Sequence, residues 1–183
     1  MAIQAKSDTL TNRLRLCLWT GLCALCLIPV IGVQVSREVN WTGFDFAVFA
    51  AILIVFGLGV EAILRLSRSW TARFAWGTLW MGLVVFGFAH LAVGIIGDGS
   101  SPANLLVLSL PAIALAGAAF TRGRSGGMAI VAGLMCAAQL ALGAYAASLG
   151  SDIWRPTAIF TLVWLTALAL FTVAARSPRS AAH

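Results

Sequence analysis

His90-Leu-Ala-Val-Gly-Ile-Ile-Gly-Asp-Gly-Ser-Ser-Pro-Ala-Asn-Leu105 ends one apolar run, turns through a short Gly/Ser/Pro loop and opens the next. Ser101 followed by Pro102 reads as an N-cap and a first helical position, where a missing N–H is harmless. Such a turn between two apolar runs predicts a helical hairpin, and similar runs recur on both sides of it. They are Leu16 to Gln34, Phe44 to Leu64, Phe74 to Gly97, Pro102 to Phe120, Met128 to Leu149 and Thr157 to Ala175. A helix needs about 20 apolar residues to cross a hydrocarbon layer, and all six approach that length.

Composition agrees. Of the 183 residues, 61% are hydrophobic and 10% charged, against about 25% charged in an ordinary soluble domain. The expected fold is therefore all-α, a polytopic bundle of six transmembrane helices over residues 16–175. A basic tail, 1–15, precedes it and a short tail, 176–183, follows. The basic leader and first apolar run resemble a signal peptide, but no A-x-A-like cleavage site follows, so the run reads as a retained helix.

The net charge of +6 does not point to nucleic acid, because the basic residues sit in short loops and tails. Lys6, Arg13, Arg15, Arg65, Arg68, Arg73, Arg122, Arg124, Arg176 and Arg179 fall on one side of the expected topology, and only Arg37 and Arg155 on the other. By the positive-inside rule both termini are then cytoplasmic. The single lysine lies in the N-terminal tail, which leaves none within a helix for a retinal Schiff base.

Three intramembrane polar residues are the candidate site: Glu61, His90 and Gln139. An ionisable group at membrane depth is a functional candidate by default. Gly87, His90, Gly94 and Gly97 fall on one helical stripe, where a neighbour approaches closely and the imidazole hydrogen-bonds across, with Gln139 a candidate partner. Glu61 precedes Arg65 in the favourable i,i+4 order. A second group, Asn40, Asp45, Asp98, Asn104, Asp152 and Arg155, gathers at the external helix ends, as helix caps or as the rim of an entrance.

Thr42-Gly-Phe-Asp45 fits a capping box. Cys23-Ala-Leu-Cys26, Cys17 and Cys136 read as small packing residues. Trp41, Trp70, Trp76 and Trp154 suit an interfacial belt, whereas Trp19, Trp80 and Trp164 read as packing residues. The fourth run carries Pro111, and its many small residues favour a central position for that helix. His90-Leu-Ala-Val-Gly94 and Gln139-Leu-Ala-Leu-Gly143 suggest that helices 3–4 and 5–6 are parallel repeats.

No nucleophile, phosphate-loop or zinc-ligand pattern is present in the sequence, and the reading carries no catalytic residue, cofactor or metal. The implied partners are the lipid bilayer and either further copies of the chain or a larger membrane complex. The leading expectation is an accessory or self-associating membrane protein. The alternative is a small transporter or channel using Glu61, His90 and Gln139.

Asn40-Trp-Thr42, Asp45-Phe46, Gly57-Leu-Gly-Val-Glu61, Leu91-Ala-Val-Gly-Ile-Ile-Gly97 and Pro102-Ala-Asn-Leu105 resemble a family of small uncharacterised bacterial inner-membrane proteins. The likeness covers roughly residues 40–130. It implies the same architecture and carries no established activity. An asparagine more usually stands at the His90 position in that family, which implies hydrogen bonding there rather than proton transfer.

Overall fold

The computed structural model describes residues 2–35, 41–67, 69–93 and 102–177, with side chains described over 11–35, 41–67, 69–90 and 105–177. The described residues are helical and contain no strand. Five helices are long and apolar enough to cross a membrane: Thr11–Val35, Gly43–Leu66, Trp70–His90, Ser125–Ser148 and Trp154–Arg176. The chain forms two compact units, Met1–Leu66 and Ser67–His183.

The first unit pairs α1 (Ala2–Val35) with α2 (Gly43–Leu66). Residues 2–15, expected as a tail, continue the first helix, and α1 also runs through Pro29, which is buried. Such a proline survives within an apolar helix when neighbours re-satisfy the freed carbonyl. Side chains of α1 enter a notch at Gly57, where an added Cβ would lie 2.8 Å from Leu22 Cδ1 and 2.9 Å from Trp19 Cη2. Trp19 is thus a packing residue, as its depth in the sequence predicts.

The second unit contains α3 (Trp70–Val93), a 3-10 segment (Pro102–Leu108), α4 (Ser109–Thr121), α5 (Ser125–Ser148) and α6 (Trp154–Arg176). Its principal packings join α3 to α6, α6 to α5 and α5 to α4. α6 offers Thr157, Phe160, Trp164, Ala167, Phe171 and Ala174 to the interior. Their alternating three- and four-residue spacing is the period of a knobs-into-holes seam. α5 answers with Met128, Val131, Ala132, Met135, Cys136, Gln139, Leu142, Gly143 and Ala146.

Lipid tails are as apolar as leucine, so helix pairing here depends on fit more than on hydrophobic burial. α3 meets α6 through Trp76–Phe171 (5.3 Å between ring centroids, 89°) and Phe86–Phe160 (4.9 Å, 84°). Each edge-to-face pair contributes about 0.5–1.5 kcal/mol beyond its contact area. Between the two pairs, Gly82 admits Val163 and Trp164, whose atoms stand 2.6 and 2.7 Å from where its Cβ would be. Trp76, assigned from its sequence position to the interfacial belt, therefore also packs against the core.

These contacts fix directions. Trp76 with Phe171 and Phe86 with Phe160 make α3 antiparallel to α6. Gly143 against Thr157 and Gly126 near Ala175 make α5 antiparallel to α6 as well. α3 and α5 are thus parallel. Gly117 against Val131 and Gly127 against Thr121 set α4 antiparallel to α5.

The fourth run departs from expectation in two ways. It opens as a 3-10 segment, and its α-helix starts only at Ser109. Pro111 has no N–H for the carbonyl of Val107, so a regular helix cannot run through that point unbroken. α4 also packs chiefly on α5 instead of standing centrally, because the buried seam belongs to α5 and α6. The boundaries of α6 shift similarly: Trp154, Arg155 and Pro156, expected as loop, form its first turn, where proline is tolerated.

Candidate functional site

The polar constellation of the first unit centres on Glu61. Arg15, Trp19 and Leu22 lie on one face of α1 at helical spacing, opposite Gly57 and Glu61 on α2. Gly57 lets the helices approach, and one turn later Glu61 meets two guanidinium groups. Arg15 Nε donates to Oε2 at 2.8 Å and Arg65 Nε to Oε1 at 2.7 Å. The terminal nitrogens of both arginines also contact Oε1. The Glu61 side chain is only 11% exposed. Arg65 is the i,i+4 partner read from the sequence. Arg15 was read as part of the basic leader, although its spacing from Trp19 and Leu22 carried the signal.

Both carboxylate oxygens are engaged by guanidinium groups, so the cluster joins α1 to α2. Glu61→Gln and Arg15→Met are each expected to lower the thermal midpoint of the detergent-solubilised protein. The double variant should lose little more than the worse single one, as residues sharing an interaction do. Independent, additive losses would show that the pair does not act as a unit.

At the other end of α2 the predicted capping box is present. Thr42 donates both its N–H and its hydroxyl to Asp45 Oδ2, each at 2.7 Å, and Asp45 N–H reaches Thr42 Oγ1 at 3.4 Å. Trp41 packs edge-on to Phe46 (5.4 Å) and Phe49 (5.5 Å). Trp41 precedes the cap and Phe46 is four positions into the helix, which is the arrangement of a hydrophobic staple. Asp45 is a capping residue in this setting. Of the other external candidates, Asn40, Asp98 and the Asn104 side chain lie outside the described residues. Asp152 and Arg155 are exposed, and among the described residues no ion pair joins them.

In the second unit Gln139 is 3% exposed. Its Oε1 accepts from Trp164 Nε1 at 3.3 Å, and Trp164 is wholly buried. The expected pairing with His90 is not formed: the Gln139 oxygen turns to the α5–α6 seam. His90 ends the apolar span of α3, one turn beyond Phe86. Its Nδ1 is buried and has no hydrogen-bond partner among the described residues. Gly87, expected to admit a close neighbour, has no heavy atom of the described residues within 4 Å of its added Cβ. The close approach is one and a half turns earlier, at Gly82, and Gly94 and Gly97 lie outside the described residues.

Cys17 and Cys23 are exposed, so they do not pack as expected, while Cys136 is buried in the α5–α6 seam. Among the described residues no three His, Cys, Asp or Glu side chains come together. Charge is sorted within the second unit. The antiparallel directions bring Arg73, Arg122, Arg124 and Arg176 to one end, and Asp152 and Arg155 to the other. Fold and polar groups together define a helical, membrane-type protein. No family model, curated protein or solved structure matches the chain.

Proposed function

We propose that this chain is a non-enzymatic, multi-pass protein of a bacterial inner membrane that works by assembling with further copies of itself. Six crossings with both termini cytoplasmic fit the directions of the helices. α3 and α5 are parallel, so the chain between them must return across the unit. The seven residues of the 3-10 segment and the thirteen of α4 supply that path. At about 2.0 and 1.5 Å per residue they reach about 34 Å, enough for a ~30 Å hydrocarbon layer. The arginine-rich end of the second unit then faces the cytoplasm.

One observation carries the assembly reading. Opposite its buried stripe, α5 presents Gly133, Ala137, Ala141 and Ala144, of which all but the half-buried Gly133 are exposed. Small residues at four-residue intervals let a second helix approach closely, and helix–helix interfaces within lipid are enriched in them. Glu61 is engaged by Arg15 and Arg65 and Gln139 by Trp164, which supports a packing role for these two of the three intramembrane candidates.

A photo-activatable residue at Ala137 tests the idea in native membranes. The expected product is a covalent dimer, reduced about tenfold by Gly133→Leu, a change equivalent to about 1.4 kcal/mol of association. A stoichiometric adduct with a different protein would make the chain an accessory subunit of a larger complex. Adducts with lipid alone would overturn the assembly reading.

A further inference from the structure

The turn between α4 and α5 encloses a shallow hollow of about 420 Å³ lined by Phe120, Thr121, Arg122, Arg124 and Gly127. We propose that it binds the phosphate group of an anionic membrane lipid.

Charge is the first argument. No hydrogen bond or ion pair engages the side chain of Arg122 or Arg124 among the described residues. Arg73, at the same end, is already engaged: it donates to the Ser67 carbonyl at 3.1 Å and lies over the Trp70 ring. The second unit's described carboxylate, Asp152, follows α5 at the far end of a 24-residue helix, about 36 Å away. Two guanidinium groups thus share a concave surface with no counter-ion among the described residues of their own unit, and their planar forks match phosphate oxygens.

Shape is the second. Arg122 holds a left-handed backbone conformation (φ 51°) followed by Gly123 at φ 68°, which turns the chain sharply and sets the two arginines on either side of the glycine. Trp76 of α3 supports that glycine from within the unit. The first-turn N–H groups of α5 open toward the same turn and add favourable potential for an anion.

The third argument selects a lipid as the source. Phe120, on the rim, is 94% exposed, and beside it run the apolar outer faces of α4 and α5. A phosphate seated between the arginines would leave its acyl chains along that surface, the arrangement expected of a basic pocket on the cytoplasmic side of a helical membrane protein.

The test uses the full chain in detergent, titrated with phosphatidylglycerol and followed by native mass spectrometry. The wild type is expected to retain one phosphatidylglycerol in preference to phosphatidylcholine. Arg122→Gly combined with Arg124→Gln should weaken retention about thirtyfold, the loss expected for two interfacial arginines. Glycine accepts the backbone angle at position 122, so this variant removes the guanidinium while keeping the turn. Arg122→Lys with Arg124→Lys should keep part of the affinity. Arg176→Gln, at the same basic end but outside the hollow, should change retention less than twofold. Equal retention by the double variant, an equal loss on Arg176→Gln, or no preference over phosphatidylcholine would overturn the site. Complete displacement of the lipid by millimolar inorganic phosphate would assign the hollow to free phosphate and overturn the lipid.

Discussion

Trp164→Ala is expected to destabilise the second unit by about 3–5 kcal/mol, the range for removing a large buried aromatic ring. Trp164 is wholly buried on α6 and serves four contacts at once. It stacks near Phe160 (6.3 Å) and meets Phe86 edge-on (6.4 Å). It fills the notch at Gly82, and it donates to Gln139. Alanine would leave a cavity between α3, α5 and α6 and a buried amide oxygen without its donor. The thermal midpoint in detergent should fall by about 10 °C or more for a chain of this length. Trp164→Phe keeps most of the ring while removing the N–H, and should lose about 1 kcal/mol or somewhat more. If alanine and phenylalanine behaved alike, the hydrogen bond rather than the ring would be the main contribution.

Gly117→Leu is expected to be the most damaging change in the α4–α5 pair. A Cβ at Gly117 would overlap the methyl groups of Val131, whose own Cβ lies 3.1 Å away. Val131 is β-branched, nearly buried and restricted in χ1, so it cannot swing aside. The helices must separate instead, at about 1–3 kcal/mol for overpacking, and leucine should sit at the upper end. Gly87→Ala is the matched comparison, since nothing among the described residues lies within 4 Å of a Cβ at that position. It should be neutral or stabilising by up to about 1 kcal/mol, the helix-propensity difference. Faster trypsin cleavage at Arg122 and Arg124 in Gly117→Leu, with Gly87→Ala like wild type, is the expected pattern. Equal behaviour would show that the close approach at Gly117 contributes little.

What the sequence made legible was local. The Thr42–Asp45 cap, the Glu61–Arg65 pair and the depth of Trp19 and Trp164 follow from spacing along one helix. Partners across helices were harder to read, since every face of an apolar run looks suitable for burial and lipid competes with protein for each of them. Arg15 was therefore assigned to a tail although it holds Glu61. Gln139 was matched with His90 although it bonds to Trp164. Gly87 was chosen as the point of approach although Gly82 fills that role. The fourth run shows the same limit: its small residues marked a contact surface correctly, but abundance could not say which helix would lie against it. Its irregular start was not read either, although the N–H missing at Pro111 acts wherever the neighbours are.

The joining of α3 to α6 has a consequence for how the protein is made. Translation proceeds at about 5–20 residues per second, so α3 emerges on the order of ten seconds before its main partner. Throughout that interval the groove at Gly82 has neither Val163 nor Trp164 to fill it. The second unit is therefore completed from its newest end. A ribosome that stalls after α5 would release a chain whose earlier helix still lacks its mate, an orphan surface suited to recognition by membrane quality control.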